Sequence, residues 1–213
     1  MVDDSNLTPA LGELNEEKVL HLVLLLKEKG AVPLDIITQL QAGMEIVGRK
    51  FEEQELYLSE LIYSAKIFKK AIDILGDLVK PEEAAHYGTI VIGTAHEDIH
   101  DIGKDLVVNL MSCNGFEVYD LGVDVPAATF IEAIKTYKPQ FLGISCLLTT
   151  IFQNMHATIE EIDKAGLRQD GMKILIGGAP VDERVRKFVG ADYYCESAQS
   201  AVDLCKRLIG GNK

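Results

Sequence analysis

The apolar positions of this chain recur at helical spacing up to about Leu75, and from Gly88 onward short apolar runs alternate with amphipathic ones. Asn15, followed by Glu16 and Glu17, predicts a capped helix start. That helix runs through Leu20 to Leu26 and stops at Gly30, and apolar residues nearly all round it predict burial. Pro33 suits the first turn of a second helix with the stripe Ile37, Leu40, Met44 and Val47. A third carries Leu58, Leu61, Ile62, Ala65, Phe68, Ile72 and Leu75. With a short N-terminal helix these predict a small bundle over residues 1–80.

Lys80-Pro81-Glu82-Glu83 is polar and contains a proline, which predicts a linker over 81–87 and a second domain over 88–213. Within it, strands are expected near 88–94, 117–121, 140–145, 173–177 and 191–194. Helices are expected near 102–114, 126–137, 151–166, 181–188 and 197–209. This alternation predicts right-handed βαβ units and a doubly wound, flavodoxin-like sheet of parallel strands, covered on both faces.

Composition narrows the function classes. A formal net charge of −12 argues against nucleic acid and anionic membrane as partners. No apolar run approaches a membrane span, and Met1-Val2-Asp3-Asp4-Ser5-Asn6 lacks a signal pattern, so a cytoplasmic protein is expected. Cys113, Cys146, Cys195 and Cys205 are scattered, which predicts reduced thiols rather than a zinc site or disulfide framework.

The richest chemistry lies in His96-Glu97-Asp98-Ile99-His100-Asp101-Ile102-Gly103-Lys104, on the loop from the first strand to the next helix. In open α/β sheets, ligands bind at such loops. Three readings compete. Asp98 or Asp101 could simply cap the helix. His96, Asp98 and His100 could converge on one divalent ion, although His21, His86 and His156 stand alone elsewhere. Alternatively Asp98, His100 and Gly103 form a unit: a carboxylate orients a metal-ligating imidazole, and a glycine leaves room for a bulky ligand.

Two further features favour the unit. Ser145-x-Leu147-x-Thr149 follows the strand Phe141-Leu142-Gly143-Ile144, and Gly177-Gly178 follows Lys173-Ile174-Leu175-Ile176. All three sets lie at strand carboxyl ends. In this order the residues resemble the cobalamin-binding modules of methionine synthases and methyltransferase corrinoid proteins, whose signature is Asp-x-His-x-x-Gly, Ser-x-Leu and Gly-Gly. The likeness extends through Asp101-Ile102-Gly103-Lys104, Cys113-Asn114 and Asp120-Leu121-Gly122-Val123 to Pro126. It also covers the helical part at Gly43-Met44, Val47-Gly48, Phe51 and Ser64-Ala65.

The resemblance implies a Rossmann-like domain that binds cobalamin base-off, His-on, with His100 as lower axial cobalt ligand. It implies that Asp98 holds the other imidazole nitrogen and that Ser145 hydrogen-bonds Asp98. Asp101 and Ile102 would lie in the binding loop, and Gly103, Gly143, Thr149, Gly177, Gly178 and Ala198 would line the nucleotide-tail pocket, with Leu147 completing the signature. The helical bundle would cap the methyl-bearing face near Leu56, Tyr57 and Tyr63. Ser59 stands where relatives often carry proline, and Ala42 where the methionine synthase pattern is often acidic.

A helical cap distinguishes the chain from the small cobalamin subunits of mutases, and acidity from DNA-binding regulators. The resemblance thus implies a methyl carrier that is not catalytic alone. It would accept a methyl group on Co(I) from a substrate methyltransferase and donate it to a second methyltransferase acting on tetrahydrofolate or a thiol. A reductive activating protein would complete the system. Aromatic methyl ethers are the preferred source, with methanol, methylamines and glycine betaine as further candidates. The alternative is a non-catalytic cobalamin sensor or storage protein.

Overall fold

The computed structural model describes residues 6–76, 87–168 and 171–210. The expected linker at Lys80-Pro81-Glu82-Glu83 lies outside them. The described chain divides into two compact units. In the first, α1 (Leu7–Gly12), α2 (Glu16–Glu28), α3 (Pro33–Glu52) and α4 (Leu58–Leu75) form a helical bundle. Asn15 caps α2, accepting the Lys18 amide at 3.0 Å, and Pro33 opens α3 with its fixed backbone angle.

Isolated helices as short as α1 are unstable in water, so α1 depends on α3. Gln39 accepts the Leu7 amide at 3.1 Å through its side chain, and its carbonyl accepts the Thr8 hydroxyl at 2.9 Å. The two helices cross at Gly43, where a Cβ would sit 2.8 Å from Leu11 Cβ and 3.0 Å from the Thr8 carbonyl.

Two burial patterns differ from the periodicity. In α2 only Val19, Leu22 and Val23 are buried and Leu24 is exposed, because one face alone is covered. In α4 the buried stripe is Leu61, Ser64, Ile67, Phe68, Ala71 and Leu75, leaving Leu58 and Ile62 to one side of it, exposed.

The second unit holds β1 (Gly88–Thr94), α5 (Ile102–Cys113), β2 (Phe116–Asp120), α6 (Ala127–Tyr137), β3 (Phe141–Ser145), a 3-10 turn (Thr149–Ile151), α7 (Phe152–Lys164), β4 (Lys173–Gly177), α8 (Glu183–Val189), β5 (Tyr193–Cys195) and α9 (Ala198–Gly210). Each strand pairs parallel with its neighbours in the order β2-β1-β3-β4-β5. The first crossover steps one way across the sheet and the next three step the other. Right-handed crossovers therefore place α5 on one face and α6, α7 and α8 on the opposite face.

The core agrees: Val91, Leu142, Ile144, Ile174 and Ile176 pack with Phe130, Met155, Ile159 and Val185 from those three helices. Ile90, Ile92, Gly143 and Leu175 point to the α5 side, by alternation along the strands. The direction of chain progression reverses between β1 and β3, so the carboxyl ends of those strands flank the crevice where such sheets bind ligands.

Replacing Gly43 with valine is expected to cost about 1–3 kcal/mol through overpacking against α1. Urea unfolding of Gly43→Val against the parent chain measures it, and an unchanged midpoint would contradict the close crossing.

Candidate functional site

The loops after β1 and β3 meet at a buried carboxylate. Beyond Thr94, Ala95 forms a parallel bridge with Val125, and the Asp98 amide turns back to the Ala95 carbonyl at 3.0 Å. Glu97 takes a left-handed backbone (φ 69°), which swings the next residue inward. Asp98 is fully buried, and its carboxylate collects four donors. Oδ1 accepts the His100 amide at 3.0 Å and lies 2.7 Å from His100 Nδ1. Oδ2 accepts the Leu147 amide at 2.6 Å and the Leu148 amide at 3.4 Å.

Burial alone would push the Asp98 carboxyl up. The Leu147 and His100 amides, the His100 ring and the Leu148 amide outweigh it and hold the group below the ordinary carboxylate range. Asp98 therefore stays ionised and can only accept, so His100 Nδ1 is the donor of that pair and Nε2 is the ring nitrogen left for a metal. The His100 side chain is 48% exposed, so that nitrogen is accessible. The backbone beneath is fixed by Thr94, whose hydroxyl donates to the His100 carbonyl at 3.1 Å.

The expected Ser145 bond to Asp98 is not the one that forms: the two loop amides occupy Oδ2 instead. Leu147 thus contributes through its backbone, while its side chain is exposed. The reading in which His96, Asp98 and His100 share one ion also fails geometrically. His96 Nδ1 turns to Asp124 Oδ1 at 2.7 Å, which also accepts the Glu97 amide at 2.7 Å. Among the described residues no group of three or more His, Cys, Asp or Glu side chains converges to hold an ion. Asp101 occupies the position before α5, its carbonyl accepting the Asp105 amide at 2.8 Å, as a cap position requires.

The segments around this pair expose apolar side chains. Ile99, Ile102, Val123, Leu147 and Leu148 are all exposed on segments bonded to Asp98 or adjoining His100. A Cβ built on Gly103 meets nothing within 4 Å, so that glycine leaves open space. Thr94, Ser145, Gly177 and Cys195 stand in register across four strands, a row of small side chains at the sheet's carboxyl edge. Gly177 has room for a side chain, its nearest neighbour being the Cys195 carbonyl at 3.6 Å.

Gly178 and Gly143 have packing reasons of their own. Gly178 has φ 131°, and a Cβ there would fall 1.9 Å from the Cys146 carbonyl oxygen. A Cβ on Gly143 would press on Ile92 at 3.0 Å. Thr149 is exposed at the start of the 3-10 turn, and Ala198 is buried as the first residue of α9. In the helical unit, Tyr57 is 80% exposed, Leu56 half-buried, and the exposed Tyr63 donates its hydroxyl to Glu16 at 2.6 Å. None of the three is bundle core.

Residues 88–203 match the B12 binding domain family, and residues 5–75 match a second B12 binding domain family. This chain belongs to the cobalamin-binding corrinoid proteins. Trimethylamine corrinoid protein 1 of Methanosarcina acetivorans is 36% identical over 207 residues, which is 94% of each chain. The dimethylamine corrinoid protein of Methanosarcina barkeri is 40% identical over 192 residues, 88% of this chain and 89% of that one. A solved cobalamin-binding protein from Desulfitobacterium hafniense DCB-2 superposes with TM-score 0.83 at 32% identity, covering 99% of this chain and 100% of that one. A chain of the methanol:cobalamin methyltransferase complex from Methanosarcina barkeri gives TM-score 0.81 at 28% identity, covering 99% and 81%.

In this corrinoid protein the sequence pattern missed three contributors, the Leu147 and Leu148 amides and Thr94, and it missed the burial of Lys104. Backbone donors leave no trace in residue identity. Lys104 had a legible signal, since with Val107 and Met111 it falls at helical spacing on the inward stripe of α5. It is 2% exposed. Burial would lower its pKa, but Asp105 and Asp120 raise it above the ordinary value and keep it charged. Among the described residues no helix is long and apolar enough to cross a membrane.

Two outcomes follow from this geometry. Gly103→Leu should leave the unfolding midpoint of the unloaded protein within about 0.5 kcal/mol while abolishing cobalamin uptake, measured by gel filtration with absorbance. Asp98, whose folded pKa lies below its unfolded value of about 3.9, stabilises the fold fully above that value. This contribution is lost as pH falls through the lower folded pKa. The stability difference between wild type and Asp98→Asn should therefore be constant near neutral pH and shrink in acid; a difference that persists unchanged in acid would exclude the bound carboxylate.

Proposed function

We propose that the protein is the methyl-carrying component of a multi-protein methyltransferase system, with His100 as lower axial ligand to cobalt. The posture of His100 supports this reading most directly: one ring nitrogen is bound by a buried, ionised carboxylate, while the side chain is half-exposed on a loop whose neighbours Ile99 and Ile102 are exposed apolar residues. Bound cobalamin supplies the carbon–cobalt chemistry of methyl acceptance and release. The chain's own residues position it. Asp98 holds the Nδ1 proton and fixes the ring plane, Thr94 fixes the His100 backbone, and Gly103 leaves clearance beside it.

The substrate reading shifts from the expectation. Aromatic methyl ethers gain no support, whereas similar proteins include trimethylamine and dimethylamine corrinoid proteins. We infer a methylated amine as methyl source. The partners follow: an amine methyltransferase that loads the cofactor, a second methyltransferase that unloads it onto tetrahydrofolate or a thiol, and a reductive activating protein, all in the cytoplasm.

Reconstitution with cobalamin tests the ligand assignment. The wild type should show a base-off, His-on absorption spectrum, and His100→Ala a base-off, His-off one; identical spectra would sink the assignment. After reduction, the loaded wild type should gain a methyl group from trimethylamine or dimethylamine in the presence of the corresponding methyltransferase. Stable loading without methyl uptake from any methylated donor would favour the sensor or storage role.

A further inference from the structure

Lys104 is the one buried cation among the described residues, and no step assigned above uses it. An unpaired ammonium in that setting would be strongly unfavourable. Its Nζ donates to Asp105 Oδ1 and to Asp120 Oδ2, each at 2.6 Å. Asp105 belongs to α5 itself and is exposed, so that bond ties the helix only to itself. Asp120 ends β2, and its other oxygen accepts the Gly122 amide at 2.9 Å.

The chain of bonds continues from there. The Gly122 carbonyl accepts the Thr94 amide at 2.9 Å, and fully buried Thr94 passes its hydroxyl to the His100 carbonyl at 3.1 Å. The path thus leaves the first turn of α5, crosses the ends of β2 and β1, and returns to the backbone of His100. Residues 100–104 close the ring covalently. Asp98 sets the rotation of the imidazole and holds the His100 amide, and the Thr94 hydroxyl is the second hold on that backbone, at its carbonyl.

We propose that Lys104 is a positioning residue that fixes the height of the His100 backbone, through Asp120, Gly122 and Thr94, and so would hold the imidazole in place toward bound cobalt. This inference rests on His100 being the cobalt ligand. It also assigns unequal weight to the two carboxylates: Asp120 transmits position to His100 and Asp105 does not.

The test loads wild type, Lys104→Met, Asp120→Asn, Asp105→Asn and Thr94→Val with cobalamin, and records the His-on fraction by absorption together with thermal unfolding before loading. Lys104→Met keeps an unbranched side chain, one atom shorter and without the charge, and Thr94→Val keeps the shape without the hydroxyl. Removing an outer contact to a metal-ligating histidine typically costs 10–100-fold in metal affinity. The His-on equilibrium should therefore weaken by about ten-fold or more in Lys104→Met, Asp120→Asn and Thr94→Val, and by much less in Asp105→Asn. Thr94→Val, the most conservative in shape, carries the test if a variant at the buried pair does not fold. Folded variants that keep the wild-type His-on fraction overturn the proposal, as does an equal shift in Asp105→Asn and Asp120→Asn, which would mark a general effect of charge loss. A wild type that loads His-off instead overturns the ligand assignment beneath it.

Discussion

Everything distinctive about this protein depends on keeping one carboxylate ionised without water. Taking a carboxylate out of solvent is costly unless donors replace the lost hydration. Asp98 finds them on two separate loops, its own and the one after β3. Bonds to an ionised acceptor are shorter and stronger than neutral ones, and the 2.6 and 2.7 Å contacts from Leu147 and His100 fit that class. The imidazole inherits its tautomer and orientation from this arrangement.

Topology explains why the two loops can meet. In a parallel sheet ordered β2-β1-β3-β4-β5, β1 and β3 are neighbours although a helix, a strand and another helix separate them in sequence. Register then places Thr94 beside Ser145 and Ser145 beside Gly177. Thr94 serves both sides of this arrangement, through its place in the row of small residues and its bond to His100. The Gly178 backbone passes so close to the Cys146 carbonyl that no side chain is tolerated there. Its glycine is thus explained by the approach of two loops, whereas those at 103 and 177 leave space.

Most elements were legible because their patterns are long and consistent with their caps. Asn15 and Pro33 mark helix starts where the structure has them, and β4 has the bounds that the apolar run at 173–177 predicts. The bundle's burial was less legible, since the leucines of α2 surround the helix while only one side is covered. At the site, Asp98 and His100 were readable as a pair because they are two residues apart and contact each other directly. The role given to Ser145 went instead to amides two and three positions along, because any residue other than proline supplies an amide. Lys104 showed its place on the α5 stripe but not its carboxylate partner at the end of β2, which depends on how strands align. The methyl source was not legible at all, because none of the residues that hold the cofactor need touch the methyl donor.

The reach of the Leu147 amide to Asp98 spans 49 residues of sequence. A short peptide copied from the β1 loop would retain aspartate, histidine and glycine at their spacing, yet it would lack half the donors on the carboxylate. Its acid would titrate like any other, its imidazole would turn freely, and bringing a second loop from so far along an unfolded chain would carry its own entropy of closure. The ligand-ready histidine is therefore a product of folding, and the motif that advertises it is only its address.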